Sequence, residues 1–105
     1  MSENQRDIRV EQTENNHYLL TGILSFDTVS QLQDEIETLT KQGTEIVLDL
    51  AGISRVDSAG LVILLEWMKL ARESGKQIFF THIPPQLMDI ARVSDLDSIL
   101  PLYKK

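Results

Sequence analysis

The run Asp57-Ser58-Ala59-Gly60-Leu61-Val62 puts a carboxylate and then a hydroxyl directly before a long apolar segment. It follows Glu45-Ile46-Val47-Leu48-Asp49-Leu50, which reads as a strand, so the pair falls where a loop becomes a helix N-terminus. The first backbone N–H groups there lack intrahelical acceptors, and the helix dipole is positive. A side chain at that point can cap the helix, meet an anion or carry a phosphate. Ser58 is therefore the leading candidate for a functional contact and for phosphorylation.

Other reactive constellations are weak. No Gly-x-x-x-x-Gly-Lys-[Ser/Thr] loop is present, which removes that route to nucleotide binding. Ser58 is not in a Gly-x-Ser-x-Gly elbow, because branched Val56 stands where the first glycine is needed. His17 and His82 are the only histidines, and neither has a second at metal-ligand spacing. His82 reads as a loop or satisfied polar residue rather than a base. Asp49 and Asp57 are better explained as a strand-end acid and a helix-start cap than as a catalytic pair. A phosphoacceptor receiver domain needs an acidic pair after its first strand, where this chain has Asn15-Asn16. The expectation is a protein that is not an enzyme, with no catalytic residue, metal or cofactor.

The 105 residues suffice for one domain and one core. Ten basic and sixteen acidic side chains give a net charge of -6, and the basic residues are scattered. Lys104-Lys105 alone make a poor patch, so no nucleic acid partner is expected. The absence of cysteine excludes disulfides and thiolate sites and fits a cytoplasmic home. Residues 1–7 are polar, lack a signal-peptide core and read as a loose tail before a domain over 8–105. The longest apolar run, Leu61 to Leu65, is far short of the about 20 residues a membrane span needs, so membrane association is expected only through a partner.

Ile8 to Glu11 and Tyr18 to Leu24 read as a hairpin turned at Asn15-Asn16. Ser25 or Asp27 can cap the next segment, where Val29, Leu32, Ile36 and Leu39 share one helical face up to Gly43. Strand three spans about Glu45 to Leu50, and a helix follows from Ser58 to about Ser74, stopped by Gly75. Gln77 to Thr81 is a fourth strand, and Pro84-Pro85 opens a helix to about Val93. Ser98 to Leu102 is either a last short strand or a packed tail. The alternation after the hairpin predicts an α/β fold, with a mixed, mostly parallel sheet of four to five strands and three main helices.

The central helix predicts its own surface. At about 100° per residue from Leu61, the residues Ile63, Leu64, Trp67, Met68, Leu70 and Ala71 share an arc that should face the sheet. Glu66, Arg72 and Glu73 lie opposite, and so do Ser58, Val62, Leu65 and Lys69. Two large apolar side chains are thus expected on the wet face beside the hydroxyl. Single exposed apolar residues are common, but two flanking a serine at a helix start read as a partner-binding ridge.

Gly22-Ile23-Leu24-Ser25-Phe26-Asp27-Thr28-Val29, the strand Ile46 to Leu50 with Arg55-Val56-Asp57-Ser58-Ala59-Gly60-Leu61, and Gly75-Lys76-Gln77-Ile78 together resemble the STAS domain. Sulfate transporters and anti-sigma factor antagonists share that domain. One branch is the MlaB-type STAS subunit, which serves the ATPase of the bacterial Mla phospholipid ABC transporter. Leu24-Ser25-Phe26, Thr28-Val29, Leu65-Glu66-Trp67 and Ala91 to Leu96 with Ile99-Leu100-Pro101 are similar to it. The chain also stops soon after that ending, whereas antagonists usually continue into a further helix. The other branch is the antagonist, whose serine matching Ser58 is phosphorylated by a kinase that is also the anti-sigma factor. Ala59 departs from the Ser-Ser pair common in antagonists.

The resemblance implies a cytoplasmic accessory subunit, peripheral to the inner membrane, that binds an ABC transporter ATPase. The alternative it implies is an antagonist bound by an anti-sigma factor and serine kinase. Asp57, Ser58, Gly60, Leu61, Val62, Leu65 and Lys69 are the expected partner-binding residues.

Overall fold

A computed structural model describes residues 7–39 and 43–102. Of the expected loose tail only Asp7 is among the described residues, and Lys104-Lys105 lie outside them. Asp7 is tied down: its carbonyl accepts from Ile23 N at 2.8 Å and its N–H donates to Gln31 Oε1 at 3.0 Å.

Strands β1 (Ile8–Glu14) and β2 (His17–Leu24) form the expected hairpin. Asn16 takes φ 67, a left-handed turn conformation that asparagine tolerates. Next come a 3-10 turn over Val29–Leu32, α1 (Gln33–Leu39), β3 (Glu45–Val56), α2 (Ser58–Glu73), β4 (Gln77–Thr81) and α3 (Pro85–Val93). The sheet order is β1-β2-β3-β4; β1 and β2 are antiparallel, and β3 is parallel to both of its neighbours. Parallel neighbours require crossovers, which α1 and α2 supply. Leu102 adds one parallel bridge to Phe80, so the undecided last segment is a 3-10 turn over Asp97–Ile99 followed by a single-bridge strand extension.

All three helices share one face of the sheet. Tyr18, Leu20, Leu24, Ile46, Leu48, Leu50, Ile78 and Phe80 alternate along their strands into one buried cluster. Leu32, Ile36 and Leu39 join it from the first crossover, Leu64, Trp67 and Ala71 from α2, and Leu87 and Ala91 from α3. The neighbouring strand positions Leu19, Asp49, Phe79 and Thr81 alternate with these and are only half-buried.

β3 is twice the length its apolar run predicts. Beyond Leu50 the residues Ala51 to Arg55 are mostly exposed or half-buried, so burial leaves no pattern there. The backbone carries that part of the strand. Thr21 pairs with Gly52, Gly22 with Ile53, Ile23 with Arg55 and Leu24 with Val56, while β4 stops at Asp49. Ser54 Oγ adds a hydrogen bond to Gly22 O at 3.2 Å. On its other side Gly22 lies hard against the chain entering β1. A Cβ on Gly22 would lie 2.1 Å from Asp7 O, at φ +121.

Gly22→Ala should therefore cost about 2–3 kcal/mol or more in urea denaturation, since strain and clash coincide. Gly60→Ala is the control: its Cβ would meet nothing closer than 3.4 Å, and it should stay within about 1 kcal/mol of the parent.

Candidate functional site

The extension of β3 delivers Asp57 to the end of the sheet. Asp57 is extended (φ -124, ψ -176) and is the N-cap of α2: its Oδ1 accepts from Ala59 N at 2.9 Å and its carbonyl accepts from Gly60 N at 2.9 Å. The cap expected at Asp57 is therefore present, and Ser58 is left out of it. Ser58 is exposed at the first helical position, and its Oγ bonds to no described residue. No acidic residue lies in the first turn of α2, so the positive helix end is uncompensated apart from Asp57.

The expected ridge divides by exposure. Val62 is 64% exposed, and Lys69 is exposed as predicted. Leu65 is half-buried against the core rather than free on the wet face. A helix seated on a sheet and also touched by α3 buries a wider arc than a single contact line predicts, and Leu65 lies about 40° from Leu61 on that wheel. Gly60 and Leu61 were expected among the partner-facing residues and turn inward. Leu61 is 4% exposed, and Gly60 is buried between Leu24 and Leu87. These two seat the first turn on the core; Ser58, Val62 and Lys69 keep the outer surface.

Phe26 belongs beside them. It is 75% exposed in the loop after β2, whose last residue, Leu24, pairs with Val56 at the same sheet end as Asp57. Thr28 braces the loop. It is only 4% exposed; its Oγ1 donates to Ile23 O at 2.6 Å and accepts from Ser25 N at 3.1 Å. The cap expected from Ser25 or Asp27 is absent: Thr28 stands at the N-cap position without a capping bond, and its hydroxyl instead braces the loop that carries exposed Phe26. The available signal was an aromatic residue between Ser25 and Asp27, outside any strand or helix period.

Asp49 and His82 are placed elsewhere. Asp57 lies eight steps along the chain from Asp49, roughly 26 Å of strand, so the two carboxylates are not a pair. Asp49 Oδ1 instead accepts from Ala51 N at 2.9 Å and lies 2.9 Å from His82 Nδ1. His82 is a satisfied polar residue at the end of β4, as expected, held at φ 57. Among the described residues no group of three or more histidines and carboxylates is placed to hold a metal ion.

Comparison with known proteins gives this geometry a context. A family model described as "Mlab, STAS domain" matches residues 8–101. The chain is 30% identical over 83 residues to the intermembrane phospholipid transport system binding protein MlaB of Escherichia coli, covering 78% of this chain and 84% of that protein. It is 26% identical over 84 residues to the putative anti-sigma factor antagonist BtrV of Bordetella bronchiseptica, covering 79% and 72%. Among solved structures, the unphosphorylated anti-sigma factor antagonist SpoIIAA superposes with a TM-score of 0.67 at 20% identity, covering 93% of this chain and 89% of that one. That likeness bears on the fold alone.

The capping assignment separates two neighbouring residues. Asp57→Ala should cost about 0.5–2 kcal/mol in urea denaturation, because Ala59 N–H loses its acceptor. Ser58→Ala should change stability by less than about 0.5 kcal/mol. A reversed order would mean that Ser58, not Asp57, holds the helix start.

Proposed function

The chain belongs to the STAS-domain family, and we propose that it is a non-enzymatic accessory subunit of an ABC phospholipid transporter maintaining outer-membrane lipid asymmetry. On this reading it docks on the transporter ATPase through the Ser58 end of α2 and works at the cytoplasmic side of the inner membrane. It reaches the membrane through that partner. No helix among the described residues is long and apolar enough to cross one.

The observation that carries the reading is the uncommitted Ser58 hydroxyl beside exposed Val62, with Asp57 doing the capping. Phe26 widens the same surface. The similarity to MlaB supports the choice of an ATPase as the partner. Burying Val62 would contribute about 1.5–3 kcal/mol, and an aromatic anchor such as Phe26 would add a comparable amount. Association costs several kcal/mol, so these side chains form the centre of a larger footprint rather than all of it.

A second reading also has an observation behind it. Ser58 Oγ is exposed, bonds to no described residue and sits at a positive helix end, as a phosphoacceptor requires. The similarity to BtrV supports an anti-sigma factor antagonist switched by a serine kinase at Ser58. Phosphate adds about -1.5 to -2 charges, which the helix dipole tolerates and a desolvated interface does not.

Both Ser58→Asp and Val62→Asp should leave the urea midpoint nearly unchanged and weaken capture of the transporter ATPase at least about tenfold. Wild-type capture by both variants would remove the docking reading. Labelled ATP added to cell extract decides between partners: stable phosphate on Ser58 together with a bound serine kinase would favour the antagonist.

A further inference from the structure

A groove of about 500 Å³ runs beside the outer edge of β4, at the end of α2 remote from Ser58. Met68 and Arg72 come from α2, Lys76 from the turn before β4, Ile78 and Phe79 from the strand, and Pro101 from the last segment. Both charged lining residues are cations and no carboxylate joins them, although the whole chain carries a net charge of -6. Neither cation is ion-paired to a described residue.

One wall of the groove is an incompletely paired sheet edge. In a parallel strand both backbone groups of a residue point to one side, and successive residues alternate. Gln77 N donates inward to Thr44 O at 3.1 Å, whereas Phe80 N donates outward to Pro101 O at 2.8 Å. Ile78 shares the parity of Phe80, so its N–H and C=O also face outward, and no described residue pairs them. The edge already accepts one extended segment, because Leu102 bridges Phe80 in parallel. Beside Ile78 that addition gives way to open groove.

We propose that this edge binds an extended, carboxylate-bearing peptide segment of a partner protein by strand addition. The peptide backbone pairs with Ile78, an apolar side chain on the helix-covered face rests against Met68, and a carboxylate meets Arg72 and Lys76. A free edge strand is a template for such pairing, and the cationic rim selects which sequences use it. Ser58 and Arg72 are about 21 Å apart along the helix, so this surface operates independently of the Ser58 ridge.

The test is a random-peptide display library panned on the full chain. Acidic peptides should be enriched, and their addition should shift the amide resonances of Gln77 to Phe80. Affinity should fall about tenfold or more with R72E/K76E, and by a similar factor when alternate peptide amides are N-methylated. Ser58→Asp should bind the peptides as wild type does, which separates this site from the ridge. Three results would each overturn the proposal: enrichment without acidic residues, shifts elsewhere on the chain, or affinity indifferent to N-methylation.

Discussion

Parallel pairing of unequal partners is the constraint from which the rest of the structure follows. β3 is 12 residues long and β4 only 5, so β3 runs past β4 with β2 as its only neighbour among the described residues. Without that overhang Asp57 and Ser58 would end beside β4. With it they stand at the rim of the sheet, next to the loop that carries Phe26. Close backbone approach makes the overhang possible. A Cβ on Gly52 would lie 2.7 Å from Leu20 O, so a larger residue there would push β2 and β3 apart.

The two ends of α2 face different chemical problems. Its start must satisfy free N–H groups, and Asp57 does so without the neighbouring hydroxyl. That division leaves Ser58 available at no cost to the helix. The end of α2 lies over a sheet edge that lacks a full partner, and Arg72 and Lys76 border it. Between the ends, Leu61, Leu64 and Trp67 bind the helix to the core, so both surfaces are held by one rigid element. Neither surface requires the protein to perform chemistry of its own.

The hairpin, the helices and the core strands were legible because burial stamps a period on them. Leu32, Ile36 and Leu39 repeat at helical steps; Ile46, Leu48 and Leu50 repeat at two, and all six are buried. Ala51 to Val56 carries no such stamp, since a two-strand overhang is held by backbone bonds that any side chain permits. Leu65 was misplaced for a related reason. A wheel drawn from one helix knows nothing of how wide a groove receives it, and here Leu65 packs against the core cluster. Thr28 shows the same limit, because its hydroxyl reaches back to Ile23 across a loop whose path the sequence does not state.

The sequence by itself determined the types and order of the main elements and the position of a serine at a helix start, because these depend on local periodicity and on residue types at short spacing; the family was legible through the resemblance of its motifs. Only the tertiary structure decided which neighbours of that serine reach solvent, that Phe26 is exposed at the same end of the sheet, and that no described residue pairs the backbone groups of Ile78. Those outcomes depend on which strand ends where, and strand pairing joins residues distant in sequence through backbone groups that every residue shares.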